Sequence, residues 1–398
     1  MSVMQRGSAW RKLGVVMAAA VSMTGAAVAT PYIPTDDRVV LERLPEKLDP
    51  ALGELKRMRV ALKADPANLD IALIVARRSI EAARETGDPR FLGQAQAALA
   101  PWWSAADPPA AALLLRATVR QSQHDFAGAL ADLDRLITKR PGDGQALLTR
   151  ATILTVQGRY ADAQRDCARL LRLASGLVTT ACLASASSLH GDAAGAYRGL
   201  TQALLRAGDT ADAREWALTL AAEIAWRRGD AAAAEAHFRE ALALDSRDGY
   251  LLGAYADFLL DRNRAREAAT LLAGGTRNDA LLLRLALAEK ALPDRRSEFA
   301  VHRQQLADRF AAAKQRGDTL HLREEARFRL DIEGDASAAV ALALANWNVQ
   351  REPADLRILA AAARASGDGE AGRIVAAWLA STRIEDAAVV ALAGGPAR

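Results

Sequence analysis

The sequence predicts an all-α chain, a solenoid of stacked antiparallel helix hairpins. Three observations carry this. Residues 113–173 hold one pattern written twice: Leu114-Leu115-Arg116-Ala117-Thr118-Val119 returns 34 residues later as Leu148-Thr149-Arg150-Ala151-Thr152-Ile153. At the same spacing Phe126, Ala129, Asp132 and Leu136 return as Tyr160, Ala163, Asp166 and Leu170. Ala and Leu dominate, and no segment alternates apolar and polar with period two, so strands are not expected. Gly-Asp recurs between the helices of a pair, at Gly191-Asp192, Gly229-Asp230, Gly334-Asp335 and Gly367-Asp368. Gly supplies the left-handed conformation that stops one helix, and Asp caps the next by accepting its free N–H groups. One such hairpin cannot bury its own apolar face; stacking buries it, so the chain grows without a single central core.

The N-terminus reads as a secretory signal over residues 1–29. Arg6, Arg11 and Lys12 precede an apolar run from Leu13 to Val21, and Ala27-Val28-Ala29 forms a cleavage site before Thr30. The apolar run is short for a transmembrane helix; an uncleaved anchor is the alternative. The expected location is a bacterial periplasm or the medium beyond it. The formal net charge of the 398 residues is +4. Three of those charges belong to the signal, which holds no acid. The remainder is close to neutral and lacks a basic stripe interleaved with aromatics, so no nucleic-acid partner is expected. Composition, 51% hydrophobic and 25% charged, fits a folded chain rather than a disordered one.

Residues 30–48, with Pro31, Pro34 and Pro45, read as a linker or arm. The solenoid is expected over 49–382. Leu52 to Lys63 forms a helix ended by Asp65-Pro66. A hairpin follows at 69–99, turning at Gly87-Asp88-Pro89, then Trp102-Trp103 at a junction. Five further pairs are expected over 110–139, 145–173, 178–205, 211–244 and 249–272. In the second helices Ala129, Ala163, Ala196, Ala234 and Ala268 share one position, and Ala117, Ala151, Ala184, Ala222 and Ala256 share one in the first. Small side chains there let paired helices approach closely. Residues 273–318 break the rhythm, with helices at 278–289 and 297–315 around Pro293. The repeat returns over 323–347 and 356–380, and 383–398 is a C-terminal tail.

These residues resemble the tetratricopeptide repeat family, best over 110–272 and well over 320–382. The chain departs from the family pattern at the first-helix Trp, replaced by Leu113, Leu147 and Leu218, and at Arg116 and Arg150, where the family usually has Leu. The resemblance implies a right-handed α-solenoid whose first helices line a concave face, and a protein or peptide partner bound there. By register it places Thr118, Gln121, Thr152, Thr155, Ser185, Ser188, Glu223, Trp226, Asp257 and Asp261 on that groove. The family's clamp for a C-terminal carboxylate uses Lys, Asn and Arg at such positions; none of the ten is one of these. The wall is small and uncharged between 110 and 190. Between 215 and 261 it is acidic with one aromatic, which suits a basic or mixed peptide. The acids could equally be neutralised by Arg227 or Arg262, and Trp226 is either an exposed anchor or partly covered.

No catalytic, cofactor or metal site is expected. Gly367-Asp368-Gly369-Glu370-Ala371-Gly372 matches G-x-G-x-x-G, but a helix rather than a strand precedes it, so no nucleotide is expected. The five His are scattered without a metal-binding spacing. Arg116 and Arg150 are expected to pair with Asp132 and Asp166. Cys167 and Cys182, the only cysteines, fall on helices that neighbour one another in the stack. They form a disulfide, as an oxidising compartment permits, or pack as two buried thiols. The function expected is therefore an exported, non-catalytic interaction scaffold without cofactors. The alternatives are a structural subunit of an envelope secretion or assembly complex, associated with a membrane complex, and an enzyme or its regulatory arm.

Overall fold

A computed structural model describes residues 50–394 apart from 175, 207 and 319. The signal 1–29, the linker 30–48 and the last four residues of the tail lie outside the described residues. Helices α1 (Pro50–Ala64), α2 (Leu69–Thr86), α3 (Arg90–Ala98) and a single turn, α4 (Ala100–Trp103), open the solenoid. Five hairpins follow: α5 (Ala110–Ser122) with α6 (Phe126–Lys139), α7 (Gly144–Val156) with α8 (Tyr160–Leu173), α9 (Leu177–Ser188) with α10 (Ala193–Leu204), α11 (Ala211–Arg227) with α12 (Ala231–Leu244), and α13 (Gly249–Asp261) with α14 (Ala265–Leu271). Then come α15 (Asp279–Lys290) with α16 (Arg296–Gln315), α17 (Leu322–Arg327) with α18 (Ala336–Trp347), α19 (Pro353–Ser366) with α20 (Gly369–Thr382), and α21 (Ala387–Leu392). Among the described residues there is no strand, and no helix is long and apolar enough to cross a membrane. The architecture is an all-α, tetratricopeptide-like solenoid.

The turn chemistry explains why the hairpins form where they do. Gly158, Gly191, Gly229 and Gly367 close first helices with positive φ. Asp125, Asp192, Asp230 and Asp335 then cap the second helices, each accepting from the amide three residues on. His124 and Asn263 occupy the glycine position in two turns and adopt the left-handed conformation themselves, at φ 59° and 57°. The alanines at the repeated close-approach positions are all buried.

Between the helices of a pair sit buried charges. Arg116 donates to Asp132 twice, from Nε at 2.8 Å and Nη2 at 2.6 Å, and its Nη1 donates to the carbonyls of Trp102 and Trp103. Arg150 grips Asp166 in the same two-bond manner. The substitution of the family's Leu by Arg is thus a repeated internal tie, with its hydrogen bonds satisfied. Cys167 and Cys182 are bonded, with their Cα atoms 5.6 Å apart.

Residues 273–318 hold two helices close to the expected bounds, α15 and α16, packed as a hairpin: Leu306 and Phe310 of α16 are buried against Leu282, Leu283 and Phe328. Residues 383–394 are docked rather than free. Ile384, Asp386 and Val389 are buried, and Asp386 both caps α21 and accepts from Arg357 Nε. Beyond α17 the backbone continues as a π turn, Phe328–Glu333. Its wider coil brings Phe328 and Ile332 onto the same apolar cluster, with the Phe328 ring 5.3 Å from Phe310.

Candidate functional site

The C-terminal hairpins fold back across the ends of the earlier first helices. Arg351 N donates to Val156 O at 2.7 Å, and Tyr160 Oη to Arg351 O at 3.3 Å. Trp378 packs edge-on to Tyr160 and lies over Gly158. Gln350 approaches His124 at 3.4 Å, and Arg228 approaches Glu385 at 3.5 Å. Tyr160 and Leu189 consequently belong to the apolar cluster of the C-terminal helices rather than to that of their own hairpins.

This closure frames a partly open chamber of about 350 Å³ between the C-terminal end of α11, one face of α13, and α15, α17, α19 and the last helix. Four of the wall helices have their own start signal: Thr210 caps α11, Asp248 caps α13, Asn278 caps α15, and Glu352 with Asp355 forms a capping box at α19. Glu223, Trp226 and Arg227 come from the last two turns of α11. Tyr250 and Asp257 come from α13, Arg284 from α15, Arg323 and Arg327 from α17, and Arg357 from α19.

The charges of the chamber form an ordered network. Asp257 takes Arg284 Nη2 at 2.7 Å and Arg327 Nη1 at 2.6 Å. Burial pushes the Asp257 carboxyl up, but the two guanidiniums outweigh it and hold the group below its ordinary value. Asp261 takes Arg357 at 3.2 Å, and here burial wins and raises it. Arg323 bridges Glu352 and Asp355. Glu223 accepts from Tyr250 Oη at 2.8 Å and is raised by burial, with Arg227 opposing.

Of the ten residues placed on the groove by register, Glu223, Trp226, Asp257 and Asp261 line this chamber together. The other six stand elsewhere. Thr118, Thr152 and Thr155 donate to the carbonyl four residues back on their own helices. Ser188 is buried; its hydroxyl donates to Ser185 O and accepts from Arg227. Gln121 and Ser185 are half-buried. The neutralising partners of Asp257 and Asp261 are Arg284, Arg327 and Arg357 rather than Arg227 or Arg262. Trp226 is partly covered: Arg357 lies 4.1 Å from its centroid, and Phe258 meets it edge-on. Sequence reasoning missed these arginines because they arrive from other hairpins across the superhelix. The one local signal was Arg323 and Arg327, one helical turn apart on a first helix.

Gly367 to Gly372 is the turn between α19 and α20, with Asp368 capping the second helix. Among the described residues no cluster of three His, Cys, Asp or Glu side chains could hold a metal ion.

No protein-family profile matches the chain, and no curated protein matches it. Among solved structures it is similar to a tetratricopeptide repeat protein from Parabacteroides merdae, at 16% identity and a TM-score of 0.45, over 59% of this chain and 92% of that one. It is also similar to yeast Tom70, at 12% identity and a TM-score of 0.42, over 86% of this chain and 85% of that one. The fold assignment rests on the chain's own hairpins and their 34-residue period.

Proposed function

We propose that this chain is an exported, non-catalytic interaction scaffold that holds a short segment of a protein partner in its central chamber. The observation that carries the reading is the chamber itself, which gathers a half-covered indole, a hydroxyl and a set of charges from five separate hairpins. Concave sites with a few convergent polar groups are the usual places for ligands. Its volume suits a few residues of a partner rather than a long extended peptide. The non-catalytic part of the reading rests on the ion pairs: Asp257, Asp261 and Glu352 are each held by arginine instead of being poised to move protons. Export rests on the N-terminal sequence, and a bonded cysteine pair fits an oxidising compartment.

The test is capture of partners from the native envelope fraction, comparing the wild-type chain with a Glu223→Gln, Trp226→Ala double variant. Neither side chain forms an ion pair among the described residues, although Trp226 carries the Arg357 stack, so the variant's fold is checked alongside capture. A partner identified by mass spectrometry should be lost from the variant while helicity is retained. Equal capture by the folded variant would place recognition outside the chamber.

A further inference from the structure

The chamber arginines are not equivalent. Arg284, Arg323, Arg327 and Arg357 each meet at least one carboxylate within ion-pair distance. Arg227 meets none among the described residues. It is 5% exposed, at the last turn of α11. Its guanidinium donates a single hydrogen bond, from Nη2 to Ser188 Oγ at 3.0 Å, and Nε is buried without a partner. A guanidinium has five N–H groups, and arginine stays charged in proteins, so a buried one with a single neutral acceptor is short of hydrogen-bond partners, although Glu223 and Asp386 act on it from beyond ion-pair distance. Glu223, one turn back on the same helix, is spent on Tyr250 Oη and does not close on it.

We infer that Arg227 is the anchor of a carboxylate subsite in the chamber, which takes a monoanionic ligand with an apolar body. This rests on the chamber being a binding site but not on the ligand being part of a protein. The one guanidinium of the lining outside an ion pair sets the ligand's valence: a single carboxylate matches it, and its planar fork fits the two oxygens. A phosphate dianion would bring a second charge into a lining that already holds six carboxylates beside five guanidiniums, with no second unpaired guanidinium among the described residues to meet it. The rest of the lining sets the ligand's body: Leu281, Leu330, Ile358, Leu392 and the Trp226 ring offer apolar surface beside the charge. The carboxylate could belong to a free organic acid or to an acidic side chain of a partner. Either source restores to Arg227 the anionic partner that every other arginine of the chamber has. Burial, which lowers the Arg227 guanidinium from its ordinary value, is offset when the anion arrives.

The experiment titrates the folded chain, labelled for arginine side-chain resonances, with hexanoate, hexanamide, inorganic phosphate and a blocked peptide carrying one Glu between apolar residues. Hexanoate or the Glu peptide should shift the Arg227 resonance and raise the melting temperature, while hexanamide and phosphate leave both unchanged. Binding by hexanoate alone identifies a free acid; binding by the peptide alone identifies a partner's side chain. Arg227→Gln should abolish the effect. Arg227→Lys keeps the charge without the fork and should weaken binding by roughly tenfold or more. The wild-type resonance remains the readout if Arg227→Gln does not fold. The inference is overturned if neither carboxylate binds better than hexanamide, or if folded Arg227→Gln binds as the wild type does. Retained capture of an envelope partner alongside such a result would leave the scaffold reading standing and remove only the carboxylate subsite.

Discussion

Arg357 lies over the Trp226 ring, with its guanidinium carbon 4.1 Å from the ring centroid. The same guanidinium bonds Asp261 through Nη1 and Asp386 through Nε. One side chain from α19 therefore ties α11, α13 and the residue that caps α21. This is one of several contacts through which the solenoid closes on itself, and stacked, partly desolvated cation–π contacts of this kind contribute about 1–2 kcal/mol.

Trp226→Ala removes both that stack and the edge contact with Phe258. The expected cost is about 2–3 kcal/mol, below that of a fully buried Trp because part of the ring faces the chamber. Urea unfolding measures it. A loss within about 0.5 kcal/mol of zero, the range of ordinary surface substitutions, would mean that Arg357 is held by Asp261 and Asp386 alone.

Gly158 and Gly229 give a paired test of the seam. Both have positive φ, 73° and 86°. A Cβ on Gly158 would stand 2.4 Å from Trp378, whereas one on Gly229 would meet nothing within 4 Å. Gly229→Ala should cost only the backbone strain, about 1 kcal/mol. Gly158→Ala should cost about 1–3 kcal/mol more through overpacking, and should open the C-terminal hairpins to limited proteolysis. Equal behaviour of the two variants would show that the Trp378 contact is dispensable.

The Cys167–Cys182 bond spans a sequence separation of 15 residues. Loop-closure entropy for such a span predicts about 3 kcal/mol of stabilisation. The purified exported chain, unfolded without reductant, should titrate no free thiol, and adding reductant should lower the urea midpoint. Two free thiols in the native chain would refute the bond.

His124 sits in the seam opposite Gln350, and His237 packs on Tyr197. Burial lowers both imidazoles below the ordinary 6.5. Below that value the unfolded chain binds protons that the folded chain refuses, so these two sites add stability at neutral pH and lose it as pH falls below about 6.5. Replacing both with Gln should flatten that acid-side loss. An unchanged pH profile would assign it to carboxylates instead, such as Asp257, held low by its arginines and lost at more acidic pH.

The sequence by itself determined the hairpins. Their starts and stops are local events: a Gly at positive φ, an Asp accepting an amide three residues on, an alanine where helices touch. Each is fixed by residues within one or two turns of chain, and so can be read without the rest. Arg116 with Asp132 and Arg150 with Asp166 were legible for the same reason, since each pair lies within one hairpin. The tertiary structure decided the chamber. Glu223, Trp226, Asp257 and Asp261 could be assigned to an inner wall by register, but their partners Arg327 and Arg357 lie in hairpins far along the chain. Small rotations between successive hairpins accumulate to bring those partners across. No local pattern encodes that sum, and so the acidic wall of the sequence became a neutralised network in which Arg227 is the cation left without an anion.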